Sequence, residues 1–147
     1  MQGRNILLGL TMATLFSLLV VGAYVTVAGY GAACGVNTPE DWPLCNGQLV
    51  PPPDAASIVE YSHRILASLS GLFLILTTAA FWRSSSASPA SKRLLYLALG
   101  SIIAEIVVGG VVVNTSLSAP VVTLHQALAL LVFGFTVGAA AISFRRQ

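Results

Sequence analysis

Four long apolar runs constrain this chain more than any other feature: residues 6–29, 58–82, 94–113 and 121–144. Crossing the hydrocarbon of a bilayer takes about 20 mostly apolar residues at 1.5 Å each, and only a helix or a closed barrel satisfies the backbone there. Each run is too long for a barrel strand and lacks period-2 alternation, so the sequence predicts an all-α, four-helix membrane bundle. Only 12 of 147 residues are charged (7 Lys+Arg and 5 Asp+Glu, 8%), against about 25% in soluble domains. That excludes a water-soluble globule and a disordered tail. A net charge of +2 is also too small for a surface that tracks nucleic-acid phosphates. The chain, 1–147, reads as one four-helix domain in which no internal repeat is visible.

Charge placement predicts an orientation. Arg4, Arg83, Lys92, Arg93, Arg145 and Arg146 flank the N-terminus, the second connection and the C-terminus. The 30–57 connection carries only acids (Glu40, Asp41 and Asp54), and the 114–120 connection carries no charge. The positive-inside rule then puts both termini and the Ser-rich 83–93 loop on the cytoplasmic side. Trp82, Tyr96 and Phe144 mark the inner boundary, and Tyr30 and Trp42 the outer one. The first run ends near Ala32-Ala33-Cys34, as a cleaved signal does, but its 24 apolar positions (6 through 29) exceed a signal core of about 7–15. Asn114-Thr115-Ser116 is a glycosylation sequon set against the membrane, and is discounted.

Cys34 and Cys45 share the long outer loop, an oxidising setting in which a disulfide forms. Such a bridge would enclose Pro39, Trp42 and Pro43 and stiffen the 30–57 connection. Two free thiols remain an alternative, as does a zinc site completed by histidines, although the close Cys-x-x-Cys spacing of zinc fingers is absent.

Ionisable side chains inside a bilayer cost about 2.5–3.5 kcal/mol at helix centre on insertion scales, so the few present are informative. They are Glu60, His63 and Arg64 on the second run, Glu105 on the third and His125 on the fourth. The only two histidines lie at nearly the same depth, on two helices that run in the same direction. Two such imidazoles can meet across a bundle core as axial ligands on the two faces of a haem iron. On helical geometry the face of His63 also carries Glu60, Ala67, Ser70, Gly71, Thr77 and Thr78. The opposite face, Ile65, Leu69, Leu72 and Leu76, suits lipid. The face of His125 carries Ala129, Val132, Thr136 and Ala139. Small residues leave room for a flat macrocycle, and they equally allow direct helix contact with the histidines as packing residues.

Glu60 and Arg64 are spaced i, i+4, as an ordinary ion pair is. In the alternative, Glu60 faces the macrocycle edge and Arg64 meets a propionate. Glu105 is either a proton-handling carboxyl or a protonated one bonded to a neighbouring helix. Gly134 and Gly138 form a GxxxG on the fourth run, serving a homodimer or packing within the bundle.

Three strings carry a resemblance. Asp41-Trp42-Pro43-Leu44-Cys45-Asn46-Gly47-Gln48-Leu49-Val50-Pro51, Glu60-Tyr61-Ser62-His63-Arg64 and Thr123-Leu124-His125, in this order and topology, resemble haem A synthase. The resemblance implies conversion of the C8 methyl of haem O to the formyl of haem A, for terminal oxidases. It implies successive hydroxylations with oxygen from water, and electrons leaving through haem. On the same basis His63 and His125 lie at the haem site with Arg64, Glu60 is the catalytic carboxylate, and Cys34 and Cys45 match an outer-loop cysteine pair. Most members have eight helices in two halves, and this chain resembles the substrate-handling half. Two protomers would then face each other as a homo-oligomer, or one site does everything. Three departures stand out: Val25-Thr26-Val27 where an arginine is typical, a longer cysteine spacing, and Glu105 where glutamine is expected.

The implied cofactor is haem, with haem O and haem A as substrate and product and haem B also admissible. The implied partners are membrane lipid, haem O synthase and a terminal oxidase. Compact length without a separate targeting stretch points to a prokaryotic cell membrane. Two other functions use the same ligands: a bis-histidine cytochrome b that relays electrons, and a non-catalytic haem-delivery or oxidase-assembly protein.

Overall fold

A computed structural model describes residues 2–36 and 42–145; Pro39, Glu40, Asp41 and Arg146, used above, lie outside the described residues. Four helices follow one another: α1 (Gln2–Val27), α2 (Ala55–Trp82), α3 (Pro89–Asn114) and α4 (Ala119–Phe144). All four are long and apolar enough to cross a membrane, as the runs predict, and the described residues contain no strand, only an isolated Cys45–Gln48 bridge. This is a multi-pass membrane protein of all-α fold.

The helix ends differ from the ends of the apolar runs because caps, not hydropathy, set them. Expected at 6–29, α1 stops at Val27: Tyr30 N–H reaches Val25 O and Gly29 N–H reaches Thr26 O, a Schellman closure with Gly29 at φ +71°. Expected to begin at 58, α2 begins three residues earlier, where the Asp54 carboxylate accepts the Ser57 N–H at 2.9 Å. Expected at 94–113, α3 instead starts at Pro89 behind the Ser88 cap and carries Lys92 and Arg93 on its first turns. Its far end closes as α1 does, with Leu117 N–H to Val112 O, Ser116 N–H to Val113 O and Ser116 at φ +49°. Expected to begin at 121, α4 starts at Ala119 with Pro120 in its first turn.

Contacts are most extensive between α1 and α2 and between α3 and α4, with thinner seams from α2 to α3 and from α1 to α4. The molecule is thus two helix pairs side by side. At one end Arg4 donates to Ser84 (2.6 Å) and stacks over Phe81 (4.8 Å), which joins the N-terminus to the α2–α3 connection. That end also gathers Arg83, Lys92, Arg93 and Arg145. The apolar core fills this basic half: Leu8, Leu15, Leu74, Phe81, Leu95, Ala98, Ile102, Val132 and Ala139 are all buried. A buried Thr11–Thr77 hydrogen bond of 2.8 Å ties α1 to α2 there. Ile65, Leu69, Leu72 and Leu76 are exposed on the outer face of α2, as a lipid-facing stripe should be. Gly138 packs against Leu94 of α3, so this member of the GxxxG serves the bundle itself, while the position beside Gly134 is open.

Candidate functional site

The polar residues singled out in the sequence collect in the half of the bundle away from the core. The α1–α2 connection folds over the start of α2, closed by a Cys34–Cys45 disulfide (S–S 2.04 Å). Both cysteines are therefore engaged, which removes the free-thiol and zinc alternatives, and no metal cluster of His, Cys, Asp or Glu occurs among the described residues. Asn46 N–H donates to Cys34 O at 3.0 Å and holds the two arms of the loop together.

Glu60 anchors this loop. Its Oε2 accepts the Cys34 N–H at 2.8 Å, and its Oε1 pairs with Arg64 Nη2 at 2.5 Å. Arg64 Nη1 in turn donates to the Leu44 carbonyl. Glu60 is 4% exposed, so this buried carboxylate has its charge compensated and both oxygens used. The i, i+4 ion pair read from the sequence is present, and it also fastens both arms of the disulfide loop. Outside the membrane span, Asp54 is held below the usual carboxylate range, chiefly by the Ser57 backbone N–H it accepts as helix cap.

Each histidine rests on a glycine of the helix paired with its own. A Cβ added to Gly22 of α1 would lie 2.8 Å from Cε1 of His63, and one added to Gly109 of α3 would lie 3.1 Å from Cε1 of His125. Only a residue without a side chain lets an imidazole lie this close to a helix backbone. Nδ1 is buried without a hydrogen-bond partner on both rings. His125 Nδ1 lies 3.1 Å from Oε1 of Glu105, a carboxylate on α3, close but not aligned as a hydrogen bond, whereas His63 meets the Leu18 backbone, with Arg64 and His125 also acting on it. Glu105 also borders a cavity of about 20 Å³ with Leu15, Leu18, Leu19, Ile102, Ala129 and Val132, between α1, α3 and α4. That is room for about one water.

The sequence named both histidines, Glu60, Arg64 and Glu105; the structure brings four of them into two clusters, Glu60–Arg64 with the loop and Glu105–His125, and sets His63 apart against Gly22. The glycine seats were not anticipated. Their signal was a Gly five residues before the end of α1 and of α3, visible only once the helix ends are known.

Comparison with known proteins then decides the family. Residues 54–147 match the family model described as cytochrome oxidase assembly protein (COX15-CtaA). The chain belongs to this family. Curated relatives each named heme A synthase include those of Bacillus licheniformis (32% identical over 123 residues, 84% of this chain and 39% of the relative) and Bacillus pumilus (31% over 141 residues, 92% and 44%). That of Geobacillus kaustophilus is 33% identical over 124 residues, 84% of this chain and 38% of the relative. The chain spans about two fifths of the length of these relatives. No solved structure matches it significantly.

Proposed function

We propose that this member of the family is a multi-pass plasma-membrane oxidoreductase that takes haem O as substrate and carries its C8 methyl toward the formyl of haem A. One observation carries the reading: the chain's two imidazoles sit one per helix pair, each laid against a glycine of the neighbouring helix. Nδ1 of each ring is buried against the neighbouring helix, so a metal would be taken by the other nitrogen. A haem iron between the pairs would engage both rings through their other nitrogens. The donor set fits a haem, whereas the cavity beside Glu105 is water-sized, so a macrocycle would enter by parting the thin α1–α4 and α2–α3 seams.

Each hydroxylation of a methyl removes two electrons and takes its oxygen from water. Positive character develops at the methyl carbon as its C–H bond breaks, water forms the C–O bond there, and two protons leave with the two electrons. A carboxylate in low dielectric stabilises that charge or accepts a proton from the attacking water. Glu60, one helical turn outward of His63, is the residue assigned this role, with Arg64 as partner for an anionic haem edge. The positive-inside distribution makes the basic end, with both termini, cytoplasmic. The Glu60–Arg64 cluster then lies near the external face.

One feature favours a second reading, a bis-histidine cytochrome that only relays electrons. Both Glu60 oxygens are already used, by Arg64 and by Cys34 N–H, as befits a structural carboxylate. Co-expression with a source of haem O and chromatography of the extracted pigment separates the two. Haem O together with haem A supports the synthase, and haem B alone supports the relay. Glu60→Gln, which keeps an acceptor for the Cys34 N–H, is expected to retain haem and lose the formyl product. Normal haem A in that variant would remove Glu60 from catalysis.

A further inference from the structure

The two imidazole seats differ in their second partner, and the difference carries an inference that rests on the haem reading and deepens it. One turn inward of Gly109, α3 places Glu105 with Oε1 3.1 Å from Nδ1 of His125. One turn inward of Gly22, α1 carries Leu18, which offers His63 only its backbone. A neutral imidazole has one N–H and one lone pair, and the group facing one nitrogen decides which is which. A carboxylate oxygen facing Nδ1 favours the hydrogen there, leaving the lone pair on Nε2.

We infer that Glu105 is a positioning residue: it holds His125 in the Nδ1–H tautomer and in the ring orientation that presents Nε2 to haem iron, a task for which His63 has the Leu18 backbone instead of a carboxylate. Both members are well shielded, with side chains 23% (His125) and 13% (Glu105) exposed, so water competes weakly for the contact. The other oxygen of Glu105 is buried without a hydrogen bond, so no competing bond ties the carboxylate elsewhere. A carboxylate behind a metal-bound histidine fixes its tautomer and raises its basicity, and losing such a partner typically costs 10–100-fold in metal affinity.

The test uses the full chain in detergent and two readouts. In the haem-free protein, ¹⁵N NMR of labelled histidine should show His125 as the Nδ1–H tautomer, shifting toward Nε2–H in Glu105→Leu while His63 is unchanged. An Nε2–H His125 in the parent protein, or no change in Glu105→Leu, overturns the inference. In titrations with haem B followed at the Soret band, Glu105→Leu should bind about 10–100-fold more weakly, with Glu105→Gln, which keeps an acceptor oxygen, close to the parent. Equal affinity of Glu105→Leu and the parent overturns it as well. The NMR readout needs no haem, so it is separate from the haem reading, which fails instead if the parent protein shows no Soret band.

Discussion

The α1/α2 pair and the α3/α4 pair are built to one plan and finished differently. In both, a helix ends in a Schellman closure, at Gly29 or Ser116, seven residues beyond a glycine that seats the imidazole of the next helix. Around that shared seat the chemistry diverges. His63 is followed by Arg64 and preceded one turn earlier by Glu60, and a disulfide-closed loop is tied down on both. His125 has Gln126 and Val122 at those positions and only the short 115–118 connection outside it, but it has Glu105 behind it. Charge in the first pair is spent on fastening the outer loop, and charge in the second on the imidazole itself. The lesson is that a matched pair of imidazoles need not have matched surroundings, and the two halves of one bundle can be given separate tasks by three or four side chains.

The largest expected break in this comparison is Glu60→Ala. It strips Arg64 of its carboxylate and Cys34 of its acceptor, and removing one member of a buried ion pair costs about 3–5 kcal/mol. Denaturation in mixed micelles should show that loss, while Val122→Ala at the matching place in the second pair changes stability by under about 1.5 kcal/mol. Next comes the double change Cys34→Ser with Cys45→Ser. Opening a bridge across 11 residues removes about 3 kcal/mol on the loop-entropy relation. Hydrogen exchange should then rise over the outer loop and the first turns of α2, and stay constant over α3 and α4.

A smaller, sharper contrast is Gly22→Ala against Gly109→Ala. An alanine in a helix interior normally gains up to about 1 kcal/mol over glycine. At Gly22 the new Cβ would stand 2.8 Å from the His63 ring, so the ring must move and the gain is lost; at Gly109 the approach is 3.1 Å and the gain is partly kept. Thermal melts and the histidine ¹⁵N shifts of the two variants test that order. The smallest effect is at Asp54, whose pKa is lowered by the Ser57 N–H. A group with a depressed folded pKa stabilises above its unfolded value, near 3.8, and loses that contribution as pH falls through the folded value. Protection of the first turn of α2 should therefore fade only in acid below about pH 4, and Asp54→Asn should abolish that limb.

Much of this was legible in the sequence, for physical reasons. Runs of about 20 apolar residues have one stable outcome in a membrane, so the four helices follow from hydropathy. The Glu60–Arg64 pair follows from helical spacing, and the pairing of Cys34 with Cys45 from their shared loop. Helix ends were less legible, because Asp54 and Ser88 act through single cap hydrogen bonds and Gly29 through its positive φ, none of which hydropathy registers. The glycine seats and the Glu105–His125 contact were hidden because each joins two helices. Gly22 is 41 residues from His63 and Glu105 is 20 from His125, and no local pattern links such positions. The relation between the two pairs leaves no repeat in the sequence for the same reason: it resides in a few positions, while the outer connection of the first pair is much longer than that of the second.

The central claim is that His63 and His125 are the two ligands of one haem. Low-temperature electron paramagnetic resonance of the full chain loaded with ferric haem tests it most directly. A low-spin bis-imidazole signal in the parent protein, replaced by a high-spin signal in both His63→Ala and His125→Ala, is the result expected. A low-spin signal that survives either replacement would contradict it.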